Sequence, residues 1–306
     1  MVNGIKSGIA GLSLLAMLAL PSGGTGEAAE TAPTKASQAF WKAWGDGKAE
    51  LSGYKVTTSR YGAPRSGRLV LIYVTEPMDR RVWVKDDAGD IPAADRVNVM
   101  KLNQALTFRT GIYPYSVMTS TFAPVDGGSP ERFTPVKVVL SAQEWCGSVF
   151  HKLIAKPGAF QSDLHSYFHK EGDKLSDVTI PAGSLYEDAL WIQLRELDGR
   201  FAGGKDWSGT IVPSLWSSRK AHTPLAAVNG SIKRSQSTRE GSPVTRFVVT
   251  IGTVTKTIDV EKAQPHRILG WTTSDGETAS ILKTARLPYW QLHDPGGEKY
   301  LEQLGL

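Results

Sequence analysis

The chain has 306 residues, of which 41% are hydrophobic and 21% charged, the composition of a folded globular protein rather than a disordered or membrane-embedded one. Lys and Arg outnumber Asp and Glu by 35 to 30, and the surplus is spread along the chain, which argues against a nucleic-acid binder with its charge gathered on one face. Cys146 is the single cysteine, so an intramolecular disulfide and a Cys-based metal cluster are both excluded.

The first segment reads as an export signal. Lys6 supplies a positive start, and Ile9 to Leu20 is an apolar run of signal-peptide length, broken by Pro21, Ser22, Gly23 and Gly24. The run is short for a bilayer span, which takes about 20 apolar residues, so an uncleaved membrane anchor is the alternative rather than the first expectation. The expected organisation is a signal peptide over residues 1–28, a flexible linker over 29–36 and one β-rich globular domain over 37–306. The expected location is periplasmic or secreted, with no transmembrane segment after cleavage.

Ser37 to Trp44 predicts a short helix ended by Gly45 and Gly47. Strands are expected at Gly67–Thr75, Val82–Lys85, Val97–Leu102, Tyr113–Phe122, Pro135–Ser141, Glu144–Ile154 and Phe160–His169, from β-branched and aromatic content and alternation. The clearest helix covers Leu185 to Leu197, with Ser184 and Glu187 as a capping box and Gly199 as its stop. It is apolar almost all round, which predicts burial.

Beyond it, strands are expected at Trp207–Leu215, Leu225–Lys233, Thr245–Ile251, Thr253–Val260, Arg267–Thr273 and Glu277–Leu287. Arg234 to Ser242 reads as a polar separator, Ser274-Asp275-Gly276 as a hairpin turn, and Glu298 to Leu304 as a short C-terminal helix. The fold class is therefore mainly β (α+β): a curved, mostly antiparallel sheet or half-barrel of about a dozen strands wrapped around one buried helix. No alternating β-α-β pattern or Gly-rich phosphate loop follows a strand, which argues against a Rossmann or P-loop arrangement.

Four groups of residues carry candidate chemistry. On a strand, Asp163, His165, Tyr167 and His169 project from one face, and Asp163, His165 and His169 have the donor types of a metal site for assisted hydrolysis. Cys146 has His151 five residues on, but with opposite parity the two face opposite sides of a strand, so a buried structural thiol is expected. The carboxylate pairs Asp86-Asp87, Glu187-Asp188 and Glu196/Asp198 read as solvated or helix-capping groups. Finally, aromatic residues including Tyr113, Tyr115, Trp145, Tyr167 and Trp191 are candidates to line an apolar binding surface on the concave side of the sheet.

The strings Arg60-Tyr61-Gly62, Gly111-Ile112-Tyr113-Pro114-Tyr115-Ser116, Ser120-Thr121-Phe122, Gln143-Glu144-Trp145-Cys146-Gly147 and His165-Ser166-Tyr167-Phe168 resemble a family of exported bacterial proteins, found for instance in Bacteroidetes, that often carry the inherited label "septum formation inhibitor Maf". The resemblance runs from about Trp44 to Leu197 and implies export but no activity. The true Maf nucleotide pyrophosphatases are cytosolic α/β proteins with their motif at the N-terminus, so none of their catalytic residues is carried over. The functional expectation is a non-enzymatic binding or envelope-maintenance protein. Its partner would be an apolar or lipid-like small molecule, with no cofactor and no nucleic acid. The alternatives are an exported metal-assisted hydrolase centred on Asp163, His165 and His169, and a pure protein-interaction module.

Overall fold

The computed structural model describes residues 35–126 and 132–306; the expected signal peptide and most of the linker lie outside them. The short first helix α1 (Gln38–Trp44) forms as expected, with the Ser37 side chain accepting the Phe40 N–H at its start. Nine strands follow: β1 (Ala49–Arg60), β2 (Ala63–Asp79), β3 (Val84–Lys85), β4 (Arg96–Thr110), β5 (Tyr113–Pro124), β6 (Lys137–Glu144), β7 (Gly147–Lys156), β8 (Ala159–Ser166) and β9 (Lys174–Thr179). The second half comprises β10 (Leu185–Tyr186), α2 (Glu187–Gln193), β11 (Trp207–Val212), α3 (Leu215–Ala221), β12 (Val228–Arg239), β13 (Ser242–Ile251), β14 (Val254–Glu261), β15 (Ile268–Thr273) and β16 (Thr278–Leu287).

These sixteen strands form one curved open sheet in the order β10 to β16, then β1, β2 and β4 to β9, with β3 paired to β2. Every pairing is antiparallel except β10 with β11. Along each strand alternate side chains face inward: Tyr54 and Val56, Leu69, Leu71 and Tyr73, Met100 and Leu102, Phe247 and Val249 join one core with Phe40 of α1, Trp191 of α2 and Leu215 of α3. The helices thus fill the concave face. α2 buries every residue from Glu187 to Ile192, the expected helix in a sheet's hollow.

Several boundaries differ from expectation. The buried helix is half the expected length, because Leu185 and Tyr186 pair in parallel with Ile211 and Val212. The capping box does not form: the Ser184 hydroxyl donates to the Pro181 carbonyl, 2.7 Å, and Glu187 turns to neighbouring elements. Val82 and Trp83 sit in a turn, with only Val84–Lys85 in β3. The strand expected to reach His169 ends at Ser166. The polar stretch from Arg234 belongs to β12, whose ladder with β13 runs to Arg239↔Ser242; its outward side chains are polar because they meet solvent. Residues 215–221, expected as strand end and loop, form α3, capped by Ser214. The expected short C-terminal helix does form, as a 3-10 helix over Gly297–Leu304.

Arg195, two residues beyond α2, sits with its side chain 1% exposed beside Glu50 of β1, 2% exposed, at 2.8 Å. The guanidinium also donates to the His266 and Pro265 carbonyls, at 2.9 and 2.8 Å, and stacks 4.3 Å from the Tyr73 ring. Burial opposes its charge, but Glu50 holds its pKa above the usual range.

On the convex face Leu304 packs with Ala49, Leu51 and Val74. Gly53 admits this contact: a Cβ there would stand 2.2 Å from the Leu304 carbonyl oxygen. Gly53→Val is therefore expected to lift the C-terminal segment off the sheet at a cost of about 1–3 kcal/mol. Hydrogen exchange should show residues 297–306 deprotected while the concave core stays protected.

Candidate functional site

Between the concave face and helices α2 and α3 lies a cavity of about 540 Å³, within the range of small-molecule sites. Val56, Leu69, Leu106 and Val117 supply its aliphatic surface from four successive strands of the sheet. Trp191 of α2, Trp216 of α3 and Trp271 of β15 add aromatic walls; Trp191 and Trp271 meet edge to face with centroids 4.7 Å apart. The turn residues Tyr61-Gly62, Gly252-Thr253 and Asp275 also line it. Antiparallel alternation places all three turns at the same end of the sheet, and the cavity opens there.

The polar wall is built by the start of α2. Glu187 and Asp188 cap the neighbouring helix: Glu187 accepts the Ser214 N–H at 2.8 Å and Asp188 Oδ2 the Leu215 N–H at 3.1 Å, both orphan donors at the start of α3. Lys256 Nζ lies 2.9 Å from Glu187 Oε1 and 4.9 Å from the Trp191 ring centroid. Glu277 accepts the Trp271 indole N–H at 3.0 Å and the Thr58 hydroxyl at 3.1 Å, while Lys220 Nζ stands 3.8 Å from both Asp275 and Glu277.

Burial, reinforced by the charge of Glu187, pushes the Asp188 carboxyl up to about 7, against the pull of the Leu215 N–H and Lys256. Burial works against the ammonium of Lys256, but Glu187 and then Glu277 hold its pKa above the usual range. With Asp188 protonated, the lining carboxylates Glu187, Asp275 and Glu277 face the cations Arg60, Lys220 and Lys256, and the formal charges balance. Ionising Asp188 leaves one negative charge over. Asp188 Oδ1 has no hydrogen-bond partner among the described residues, so a neutral Asp188 is a donor or acceptor available to a ligand.

Of the aromatic residues anticipated for binding, Trp191 lines the cavity. Tyr113 and Tyr115 face the concave side but sit beyond its wall, and Tyr115 Oη lies 2.7 Å from Tyr61 Oη at the mouth. Trp145 and Tyr167 stand on the rim, exposed. Asp163 and His165 do meet, Oδ1 to Nε2 at 2.9 Å, but Lys152 takes the other Asp163 oxygen at 2.9 Å. His169 and Tyr167 lie past the end of β8 and lose the shared face. Among the described residues no group of three or more His, Cys, Asp or Glu side chains is placed to hold a metal ion.

Cys146 is exposed rather than buried. The β6–β7 ladder closes at Glu144↔Gly147, which puts Trp145 and Cys146 at the tip of a two-residue turn. Glu144 beside it raises the thiol's pKa, chiefly through their hydrogen bond. His151 points inward, 2.8 Å from the Ser162 hydroxyl, and burial lowers its pKa to about 4. The other carboxylate pairs are structural: Asp86 binds Arg96 at 2.8 Å, Glu196 pairs with Arg234 and Asp198 with Arg132.

Sequence reasoning missed Trp216, Lys220, Lys256 and Glu277 as lining residues. One signal was present: Pro213-Ser214 before Leu215 is a helix-start pattern, and α3 follows it. Comparison with family models, curated proteins and solved structures returns no match.

Proposed function

We propose that the chain is an exported binding protein that holds an amphipathic small molecule in the concave cavity. The observation behind this reading is the cavity's two-sided chemistry. Its aliphatic and tryptophan surface suits an apolar body, and its polar lining, in which Glu187, Asp275 and Glu277 are balanced by Arg60, Lys220 and Lys256 while Asp188 is neutral, suits an uncharged or zwitterionic polar head. The export pattern of residues 6–24 is consistent with a carrier working outside the cytoplasm.

Titration with the apolar fluorophore N-phenyl-1-naphthylamine should give saturable, one-to-one uptake by the folded protein, with quenching of tryptophan emission. Leu106→Trp projects a larger ring into the cavity and should weaken uptake about tenfold or more by occupying the probe's volume, at a stability cost of about 1–3 kcal/mol that leaves the protein folded. Native mass spectrometry of protein from an exporting host should show a retained mass in the lipid range. Absence of both uptake and retained mass would overturn the reading.

A further inference from the structure

We propose that the rim around the cavity mouth docks on an anionic lipid bilayer. The inference goes beyond the cavity reading and stands on the rim alone. Four hairpin turns, β1–β2, β4–β5, β6–β7 and β8–β9, lie at the end of the sheet where the cavity opens. Each carries a large apolar side chain in solvent: Tyr61 is 59% exposed, Ile112 76%, Trp145 68% and Tyr167 75%.

Aromatic contacts link the turns to one another. Tyr61 and Tyr115 share a hydroxyl contact of 2.7 Å, the Tyr115 and Tyr113 rings lie 5.9 Å apart and those of Tyr113 and Trp145 6.4 Å apart. Tyr167 then packs so closely on Gly147 that a Cβ at residue 147 would stand 2.6 Å from its ring. A folded domain seldom gathers four exposed apolar tips along one edge without a use for them. Tyr and Trp, each an apolar ring with a polar tip, suit the interface of a bilayer.

Charge selects the kind of surface. On the convex face, five ladder pairs in from the β1–β2 turn, Lys55 and Arg68 are direct cross-strand partners, and Arg68 pairs with Thr107, two residues before Arg109. Like charges placed opposite one another repel, and none of the three cations has a carboxylate partner among the described residues. They share a shallow depression with Ser66 and Thr107 that contains no acidic side chain. Across the four turns themselves, residues 59–65, 107–112, 143–147 and 165–174, Arg60, Arg65, Arg109, Lys170 and Lys174 outnumber Glu144, Glu171 and Asp173, and Glu171 is already paired with Arg219 at 2.7 Å. An apolar edge to enter the interface, with unpaired cations on the face behind it, fits lipid phosphates.

The test uses vesicles of phosphatidylcholine with 30% phosphatidylglycerol, against pure phosphatidylcholine. A fluorophore on Cys146, which lies at the tip beside Trp145, reports entry into lipid by a blue shift. The expected result is binding to the anionic vesicles that weakens with salt. Ile112→Ser with Trp145→Ser should reduce it about tenfold or more, as for the loss of a buried large apolar side chain, and Arg68→Glu with Arg109→Glu should abolish the preference for anionic lipid. Leu106→Trp should leave vesicle binding intact, which separates this inference from the cavity reading. Failure of the unmodified protein to bind anionic vesicles, or equal binding by the rim variants, would overturn the proposal. So would self-association through the rim, shown by a dimer in sedimentation that Trp145→Ser dissolves.

Discussion

Replacing Arg195 by Met is expected to destabilise the protein by about 3–5 kcal/mol, because it leaves the Glu50 carboxylate buried without its counter-ion. For a domain of this size that corresponds to a fall of roughly 10 °C in thermal midpoint. Two further losses add to the effect: the His266 and Pro265 carbonyls lose their donor, and the Tyr73 ring loses the cation stacked on it. Glu50→Leu combined with Arg195→Met should recover much of the stability, since a well-packed apolar pair often replaces a buried ion pair at little cost. A double-mutant cycle by urea denaturation measures the coupling. If Arg195→Met alone costs under about 1 kcal/mol, the magnitude of a surface pair, the pair does not secure the sheet's hollow.

The second large effect depends on pH. Asp188 has its carboxyl raised from 3.8 to about 7, so between those values the folded state keeps a proton that the unfolded state has released. Stability from this group is full at low pH and falls as pH rises towards 7. The loss is on the order of 4 kcal/mol, at about 1.4 kcal/mol per unit. Asp188→Asn resembles the protonated form and still accepts the Leu215 N–H, so it should be markedly more stable than the unmodified protein at pH 8 and equal to it at pH 4. His151 acts in the opposite sense: its pKa is lowered to about 4 by burial, so its contribution is lost as pH falls from its ordinary value. The unmodified protein should therefore show a flattened stability profile, and the difference between it and Asp188→Asn isolates the carboxyl. A constant difference from pH 4 to pH 8 would refute the assignment.

Patterns that repeat along one strand or one helix were legible in sequence. Alternation marked most strands, and the apolar girdle of residues 185–197 marked α2 as buried. What the sequence hid was set by partners distant along the chain. Glu187 and Asp188 look like ordinary first-turn carboxylates, and their burial follows from the start of α3 arriving 27 residues later. β1 was hidden because its inward face carries Glu50, Ser52 and Thr58 beside Tyr54 and Val56, which blurs hydrophobic alternation. Cys146 reads as buried from residue type alone, yet a two-residue turn lifts it into solvent. The aromatic residues were legible as a group, whereas their division between cavity and rim depends on where each hairpin turns.

The strand order makes the sheet two local meanders joined along one ladder. β1 to β9 and β10 to β16 are each built largely from pairings between neighbours in sequence, and β1 with β16 is the strand pairing that links them. That ladder brings Ala49 against Leu287, so it closes a loop of most of the chain, the slow and entropically costly kind of contact to form. At the opposite margins, β9 and β10 are separated in sequence only by residues 180–184. Joining the termini and cutting within residues 180–184 would yield a permuted chain whose strands follow one another from edge to edge, and it should fold faster than the natural order. In the natural order, Arg195 reaches from the second meander to Glu50 of the first, and the Tyr73 hydroxyl of the first donates to the Trp191 carbonyl of the second at 2.9 Å. These contacts act as a latch across the late-forming joint.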